Sequence, residues 1–201
     1  DRMDALVMCG GKGTRLESAH EKPLHPIAGT PMVDRVLSGL AASRLETIYA
    51  AVSPNAPETR AHLEAVGSVT TVETAGEGYV ADLMSLLERP ALSPPLLTVA
   101  ADLPLLEAPV IDRVLAAHGD SDASRTVCVP VALKRRLGVS IDTRLESADH
   151  LAPTGVNVVG TASDSTSMID VHYDARLAMN VNRLEDARLA ADRLSRSAEG
   201  R

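Results

Sequence analysis

The sequence has no phenylalanine, no tryptophan and only three tyrosines: Tyr49, Tyr79 and Tyr173. A core must therefore be packed from Leu, Val, Ala and Ile. The flat aromatic platforms on which single-stranded nucleic acids stack are missing. A formal net charge of -7 repels phosphate backbones as well, so general nucleic-acid binding is excluded. Lysine is nearly as scarce, with Lys12, Lys22 and Lys134 the only three and arginine supplying the other fixed cations. That acidic, lysine-poor balance is compatible with a high-salt cytoplasm or a GC-rich genome, and it bears on solubility rather than fold. The two cysteines, Cys9 and Cys128, match neither a disulfide framework nor a metal-ligand spacing. No apolar run reaches the ~18 residues of a membrane span, and no signal-peptide pattern precedes the first strand. A cytoplasmic location is expected.

What the sequence does contain is a series of short apolar runs separated by helical patterns. Residues 5–9 are continuously apolar and 96–101 are apolar but for Thr98, as strands buried on both faces require. Further strands are expected at 47–52, 69–72, 126–131, 155–159, 167–171 and 176–179. Thr30-Pro31 reads as an N-cap with proline at the first helical position, and Val33, Val36, Leu37 and Leu40 make the apolar stripe behind it. Helices are also expected at 57–66, from 79 to about 88, and from Pro109. A last one is expected after Asn182, ending in a frayed tail at 195–201. Residues 134–153 lack a clear period and read as an excursion over one edge of the sheet. The alternation implies βαβ units: a single three-layer α/β domain, Rossmann-like, with a mostly parallel central sheet. In such sheets ligands bind beyond the carboxyl ends of the strands. The positions that matter are then the loop after the first strand, Ser53 to Asn55, Gly76 to Gly78, and Asp102.

The first of these loops is LVMCGGKGTRLESAHEKPL, residues 6–24. It is not a Walker A loop, because no Gly-Lys-Ser/Thr follows at the required spacing, and it lacks the third glycine of a dinucleotide fingerprint. It can still serve as an anion loop. Gly10, Gly11 and Gly13 let backbone N–H groups converge on phosphate oxygens, with Lys12, Arg15 and Lys22 as countercharge. Asp102 follows an apolar strand and begins Asp-Leu-Pro, where a carboxylate can either hold Mg²⁺ or cap a turn.

The string G-G-x-G-T-R followed by E-K-P-L resembles the signature of nucleotidyltransferases acting on sugars, molybdopterin and cobamide precursors. That family has a Rossmann-like domain and moves a nucleoside monophosphate from an NTP to an anionic acceptor. The resemblance implies that Gly10, Gly11, Gly13, Thr14 and Arg15 cradle the triphosphate, with Leu6, Cys9 and Lys12 beside it. Lys22 is assigned to charge developing on the α-phosphate and Asp102 to the Mg²⁺. Cys9 stands where such proteins commonly have alanine, which makes it a packing residue rather than a nucleophile.

Gly76-Glu77-Gly78-Tyr79 and Pro153-Thr154-Gly155-Val156-Asn157, with the Asn180-Val181-Asn182 entry to the last helix, look like segments of the archaeal adenosylcobinamide-phosphate guanylyltransferases. The resemblance runs from Met3 to about Leu194. It implies GTP as donor, adenosylcobinamide phosphate as acceptor and a homodimer. Ser53, Asn55, Gly76 and Gly78 would then hold the nucleoside. Asp142, Asn157 and Asn180 would face the acceptor, with Asp142 also a candidate second metal ligand. A phosphate monoester with a second pKa of ~6 is already largely dianionic at neutral pH, so no general base is required. His20 and His25 are accordingly left without a catalytic role, and His62, His118, His150 and His172 form no ligand set. Two alternatives remain: another acceptor, such as molybdopterin or a sugar 1-phosphate, and a non-catalytic nucleotide sensor of the same fold.

Overall fold

The computed structural model describes residues 2–10, 16–163 and 167–200. Its centre is a seven-stranded sheet in the order β5-β4-β1-β6-β8-β7-β9. The strands are β1 (Asp4–Met8), β4 (Ile48–Val52), β5 (Thr70–Glu73), β6 (Leu96–Ala100), β7 (Ser124–Pro130), β8 (Leu151–Val159) and β9 (Ser167–Val171). All of them run parallel except β8, which is antiparallel to both β6 and β7. A two-stranded hairpin, β2 (Pro26–Ile27) with β3 (Thr30–Pro31), lies apart from this sheet. The α/β, mostly parallel architecture is the one the alternating pattern implied.

Helices α1 (Met32–Ala41), α2 (Pro57–Val66) and α4 (Ala108–His118) bring Val33, Val36, Leu40, Leu63, Val110 and Ile111 onto one face of the sheet, where the main core forms. On the opposite face α3 (Tyr79–Leu87) covers β1, β4 and β6 through Leu83, Leu86 and Leu87. The largest fully buried side chains are Leu, Ile and Met, as a chain without Phe or Trp requires. A smaller cluster joins the hairpin to α7 (Leu184–Glu199) through Ile27, Met32, Met179, Val181 and Ala187. The chain moves outward from β1 to β4 and β5, then crosses back to place β6 on the other side of β1. That reversal leaves a crevice beyond the carboxyl ends of β1 and β6.

Several local expectations need correction. Residues 134–153 are not an edge excursion. Val131–Leu137 is helix α5, and Leu151–Pro153 begins the central strand β8. Arg176–Met179 is not a strand. Residues Ala175–Ala178 form one helical turn, α6, capped by Asp174, which accepts from the Arg176 N–H at 2.9 Å. Pro31 rather than Thr30 takes the N-cap position of α1, because Thr30 is drawn into the hairpin. Residues 195–199 continue α7 instead of fraying.

Candidate active site

The crevice holds a cavity of about 350 Å³. Gly10, Lys22 and Asp102 line one end of it, and Ser53, Asn55, Gly76 and Gly78 line the other. Seven positions singled out from sequence are therefore brought to one place. Gly11, Lys12, Gly13, Thr14 and Arg15 lie outside the described residues. Leu6 and Cys9 do not line the cavity, and both side chains are fully buried. Burial pushes the Cys9 thiol up to about 12, which suits packing and not nucleophilic attack.

The end at Ser53 and Gly76 is built from two strand ends in contact. Gly76 has φ +75°, and a Cβ there would stand 3.0 Å from Asn55 Nδ2 and 3.1 Å from Ser53 Oγ. Only glycine gives both the turn and the close approach. Ser53 Oγ accepts from the Asn55 N–H at 3.1 Å, which fixes that loop. Asp82, in the first turn of α3, is a buried carboxylate on the same wall and accepts from the Glu77 N–H at 3.1 Å. Tyr79 also lines the cavity, with about half its surface exposed.

The end at Lys22 and Asp102 is a polar network. Lys22 sits in a short 3-10 turn (Lys22–Leu24) anchored by Glu21, which accepts from both amides of Glu58 and Thr59 and from the Thr59 hydroxyl at 2.7–3.1 Å. Burial alone would push the Glu21 carboxyl up, but these hydrogen bonds outweigh it and hold it below the usual value. Glu21 thereby caps the start of α2 and ties the Lys22 turn to it. Lys22 Nζ then stands 3.3 Å from Asp102 Oδ2 and 3.1 Å from Asn182 Oδ1. On the other side of Asp102, Asn180 Nδ2 donates to Oδ1 at 3.1 Å and to the Thr154 carbonyl at 2.9 Å. Asn180 Oδ1 in turn accepts from Lys134 Nζ at 2.9 Å.

Lys134 is 4% exposed. Desolvation holds its pKa below the ordinary lysine value, against the upward pull of Asp102, Asp186 and Asp142. Backbone contacts keep the network in register. The Val181 N–H donates to the Asp102 carbonyl at 2.9 Å, and buried Asp186 accepts from the Asn182 and Arg183 amides and from Ser140. Asp142 is held instead by Arg183 Nη2 at 3.0 Å and, like Asn157, does not line the cavity.

A cation already occupies the point where the Asp102 and Asn182 oxygens converge, and it is the Lys22 ammonium. The same two oxygens fit a divalent ion that completes its shell with phosphate oxygens, as Mg²⁺ commonly does. No group of three or more His, Cys, Asp or Glu able to hold a metal occurs among the described residues. His25 pairs with Ser18 at 2.7 Å, and neither it nor His20 lines the cavity. Sequence reasoning missed three participants: Lys134, Asn182 and Asp82. Lys134 was visible only as one of three lysines, in a stretch without periodicity. Asn182 resembled a helix cap, and Asp82 an ordinary first-turn acid.

Comparison with known proteins agrees with this geometry. The family model described as a MobA-like NTP transferase domain matches residues 5–196. An adenosylcobinamide-phosphate guanylyltransferase of Methanocaldococcus jannaschii is 30% identical, over 94% of this chain and 95% of its own. The bifunctional protein GlmU of Syntrophotalea carbinolica is 33% identical over 63% of this chain, which spans only 28% of that protein. Among solved structures, a CMP:2-keto-3-deoxy-manno-octonic acid synthetase complexed with CTP superposes with a TM-score of 0.65, covering 98% of this chain and 99% of its own, at 12% identity. A hypothetical transferase from Thermus thermophilus gives 0.59 at 23% identity, covering 80% of this chain and 66% of its own. At such identities these two likenesses speak to fold alone.

Proposed function

Since the chain belongs to the MobA-like NTP transferase family, we propose that it transfers GMP from GTP to adenosylcobinamide phosphate, releasing pyrophosphate and forming adenosylcobinamide-GDP. The observation that carries the reaction type is the pair Lys22 and Asp102 lining one end of the cavity, held from behind by Asn180 and Asn182, which do not line it themselves. The acceptor rests on the full-length similarity to the Methanocaldococcus jannaschii enzyme. Guanine as the base has support from Asp82, because a carboxylate can accept from both N1–H and the 2-amino group. Adenine and cytosine lack that pair of donors.

In this reading an oxygen of the acceptor's phosphate attacks the α-phosphorus of GTP. The new P–O bond forms as the bond to the β-phosphate oxygen breaks, and the electron pair leaves with pyrophosphate. No proton has to be removed from a dianionic nucleophile. What the protein must do is screen two anions from each other and hold them in line. Lys22 moves from Asp102 and Asn182 onto the α-phosphate, where charge develops. Asp102 and Asn182 would hold Mg²⁺, which supplies charge neutralisation between phosphate oxygens. Asn180 and Lys134 keep the Asp102 carboxylate turned to the cavity. The glycine loop with Thr14 and Arg15 cradles the remaining phosphates.

The test is identification of the product. The protein is incubated with GTP, Mg²⁺ and adenosylcobinamide phosphate, and in parallel with molybdopterin or sugar 1-phosphates. Mass spectrometry should find adenosylcobinamide-GDP alone. A guanylylated product from another acceptor would keep the reaction type and replace the acceptor.

A further inference from the structure

One face of the central sheet is covered from β4 to β7, and the other only in part. Ladder partners share a face, so rows can be traced from strand to strand. Val7, Val99 and Val156 form one row, fully buried in the main core. The row on the opposite face runs Leu6, Thr98, Asn157, Thr126, Ile169. Leu6 and Thr98 are buried, Asn157 and Thr126 are half-buried, and Ile169 is 42% exposed. Helix α3 packs on the beginning of this row. Val171, two residues beyond Ile169 and so on the same face, is 53% exposed. Among the described residues, then, the cover thins beyond β6, and β8, β7 and β9 present a partly open floor, half-buried at Asn157 and Thr126, closed at Cys128 and open at Ile169 and Val171.

That floor is continuous with the transfer cavity. Met8 and Ala100 are ladder partners on this face and both line the cavity. The floor continues from Ala100 to Gly155, where an added Cβ would stand 2.7 Å from that of Ala100. Its chemistry is mixed: aliphatic at Ile169 and Val171, polar at Asn157 and at the Thr126–Ser167 hydroxyl pair, 3.0 Å apart. Thr98 Oγ1 finds no hydrogen-bond partner of good geometry among the described residues. The cavity itself, at about 350 Å³, lies at the small end for a pocket enclosing one ligand. The nucleotide fills it, and a macrocyclic acceptor has to lie outside.

We propose that the partly open face of β8, β7 and β9 seats the ring of the acceptor, a broad macrocycle rimmed with amides, while its phosphate reaches Asp102 past Ala100 and Gly155. This inference rests on the acceptor proposed above. The aliphatic side chains would lie under the ring, and Asn157 would meet amides at its rim. A flat, partly open floor suits a ligand too wide for a closed pocket.

The test uses substitutions on the two faces of one edge strand. Ile169→Glu and Val171→Glu put a charge on the floor at exposed positions. Met168→Glu puts the same charge on the other face, at a position 51% exposed. Pyrophosphate release is measured against adenosylcobinamide phosphate concentration, GTP affinity by calorimetry, and oligomeric state by light scattering. The floor variants should raise the acceptor KM roughly tenfold, about 1.4 kcal/mol, with GTP affinity, kcat and mass unchanged and Met168→Glu like the parent. An unchanged KM in both floor variants, beside normal parental turnover, overturns the seat and leaves the proposed function standing. A change from dimer to monomer in those variants would make the face a contact between copies and overturn it too. No parental turnover of this acceptor removes the functional reading, and the seat with it.

Discussion

Replacing Lys134 by methionine separates the work of this residue from its cost. Its ammonium donates to Asn180 Oδ1 at 2.9 Å, and Asn180 donates onward to Asp102. A hydrogen bond from a charged group contributes ~1.5–3 kcal/mol, and Asn180 Oδ1 would lose its partner. Against this stands desolvation, the larger of the influences on Lys134, which pushes its pKa down despite three nearby carboxylates. The carboxylates left behind are not stranded: Asp102 keeps Lys22 and Asn180, and Asp186 keeps Ser140 and two amides. The two effects therefore nearly cancel, and the variant should lose no more than about 1–2 kcal/mol of stability. Activity should suffer more, because the Asn180 amide is no longer held with its N–H₂ towards Asp102. Groups that orient a metal-binding carboxylate typically cost 10–100-fold in metal affinity or activity when removed. The assay is a Mg²⁺ titration of pyrophosphate release at saturating GTP, beside urea denaturation. The pH dependence carries a second check. A lysine with a lowered folded pKa disfavours the fold below that pKa, and the penalty is relieved as pH rises towards the unfolded value. The stability gap between parent and variant should therefore shift in the parent's favour on the alkaline side. An unchanged Mg²⁺ requirement, or outright unfolding, would refute the reasoning.

Lys22→Ala should lower kcat by roughly 10²–10³-fold while changing GTP affinity by only a few fold, since its role is on developing charge; equal losses in both would contradict that role, and single-turnover kinetics beside calorimetry read the difference. Asp82→Asn keeps an acceptor for the Glu77 N–H but loses the carboxylate, so the preference for GTP over ATP should fall by roughly tenfold, measured as a ratio of kcat/KM values. Burial raises the Asp174 carboxyl, but its bonds to Arg176 and Arg113 outweigh this and hold it at about 2. With the folded pKa depressed, its contribution is complete above the ordinary 3.8 and is lost as pH falls towards about 2. Asp174→Asn should therefore cost about 1 kcal/mol near neutrality, after solvent screening, and nothing near pH 2 in chemical denaturation.

The sheet was legible where strands are buried on both faces, because burial leaves a mostly apolar run, as at β1 and, with Thr98 as its one polar residue, at β6. Asp102 and the Gly76 turn were legible for a related reason, since a strand end in such a sheet announces a site. Strand β8 was legible only in its second half, 155–159, because Pro153 lies inside the first. The register shift between Thr126 and Cys128 on β7 accommodates that proline, and no local pattern reports a partner's bulge. Helix α6 is a single turn, too short for a period to show. Lys134, Asn182 and Asp82 matter through contacts with distant segments, with Lys134 and Asn180 46 positions apart. Spacing along the chain carries no trace of such pairs. The glycine loop shows the reverse. Its composition and order point to an anion site, whereas residues 11–15 lie outside the described structure.

The central claim, guanylyl transfer at the Asp102 cavity, is tested most directly by pyrophosphate release in four parallel series with GTP, ATP, CTP and UTP. Each is run with and without adenosylcobinamide phosphate, for the parent and for Asp102→Ala of verified fold. Release that requires GTP and the acceptor together, and vanishes in Asp102→Ala, is the predicted result. Release indifferent to the base or to the acceptor, or surviving the loss of Asp102, would contradict the account.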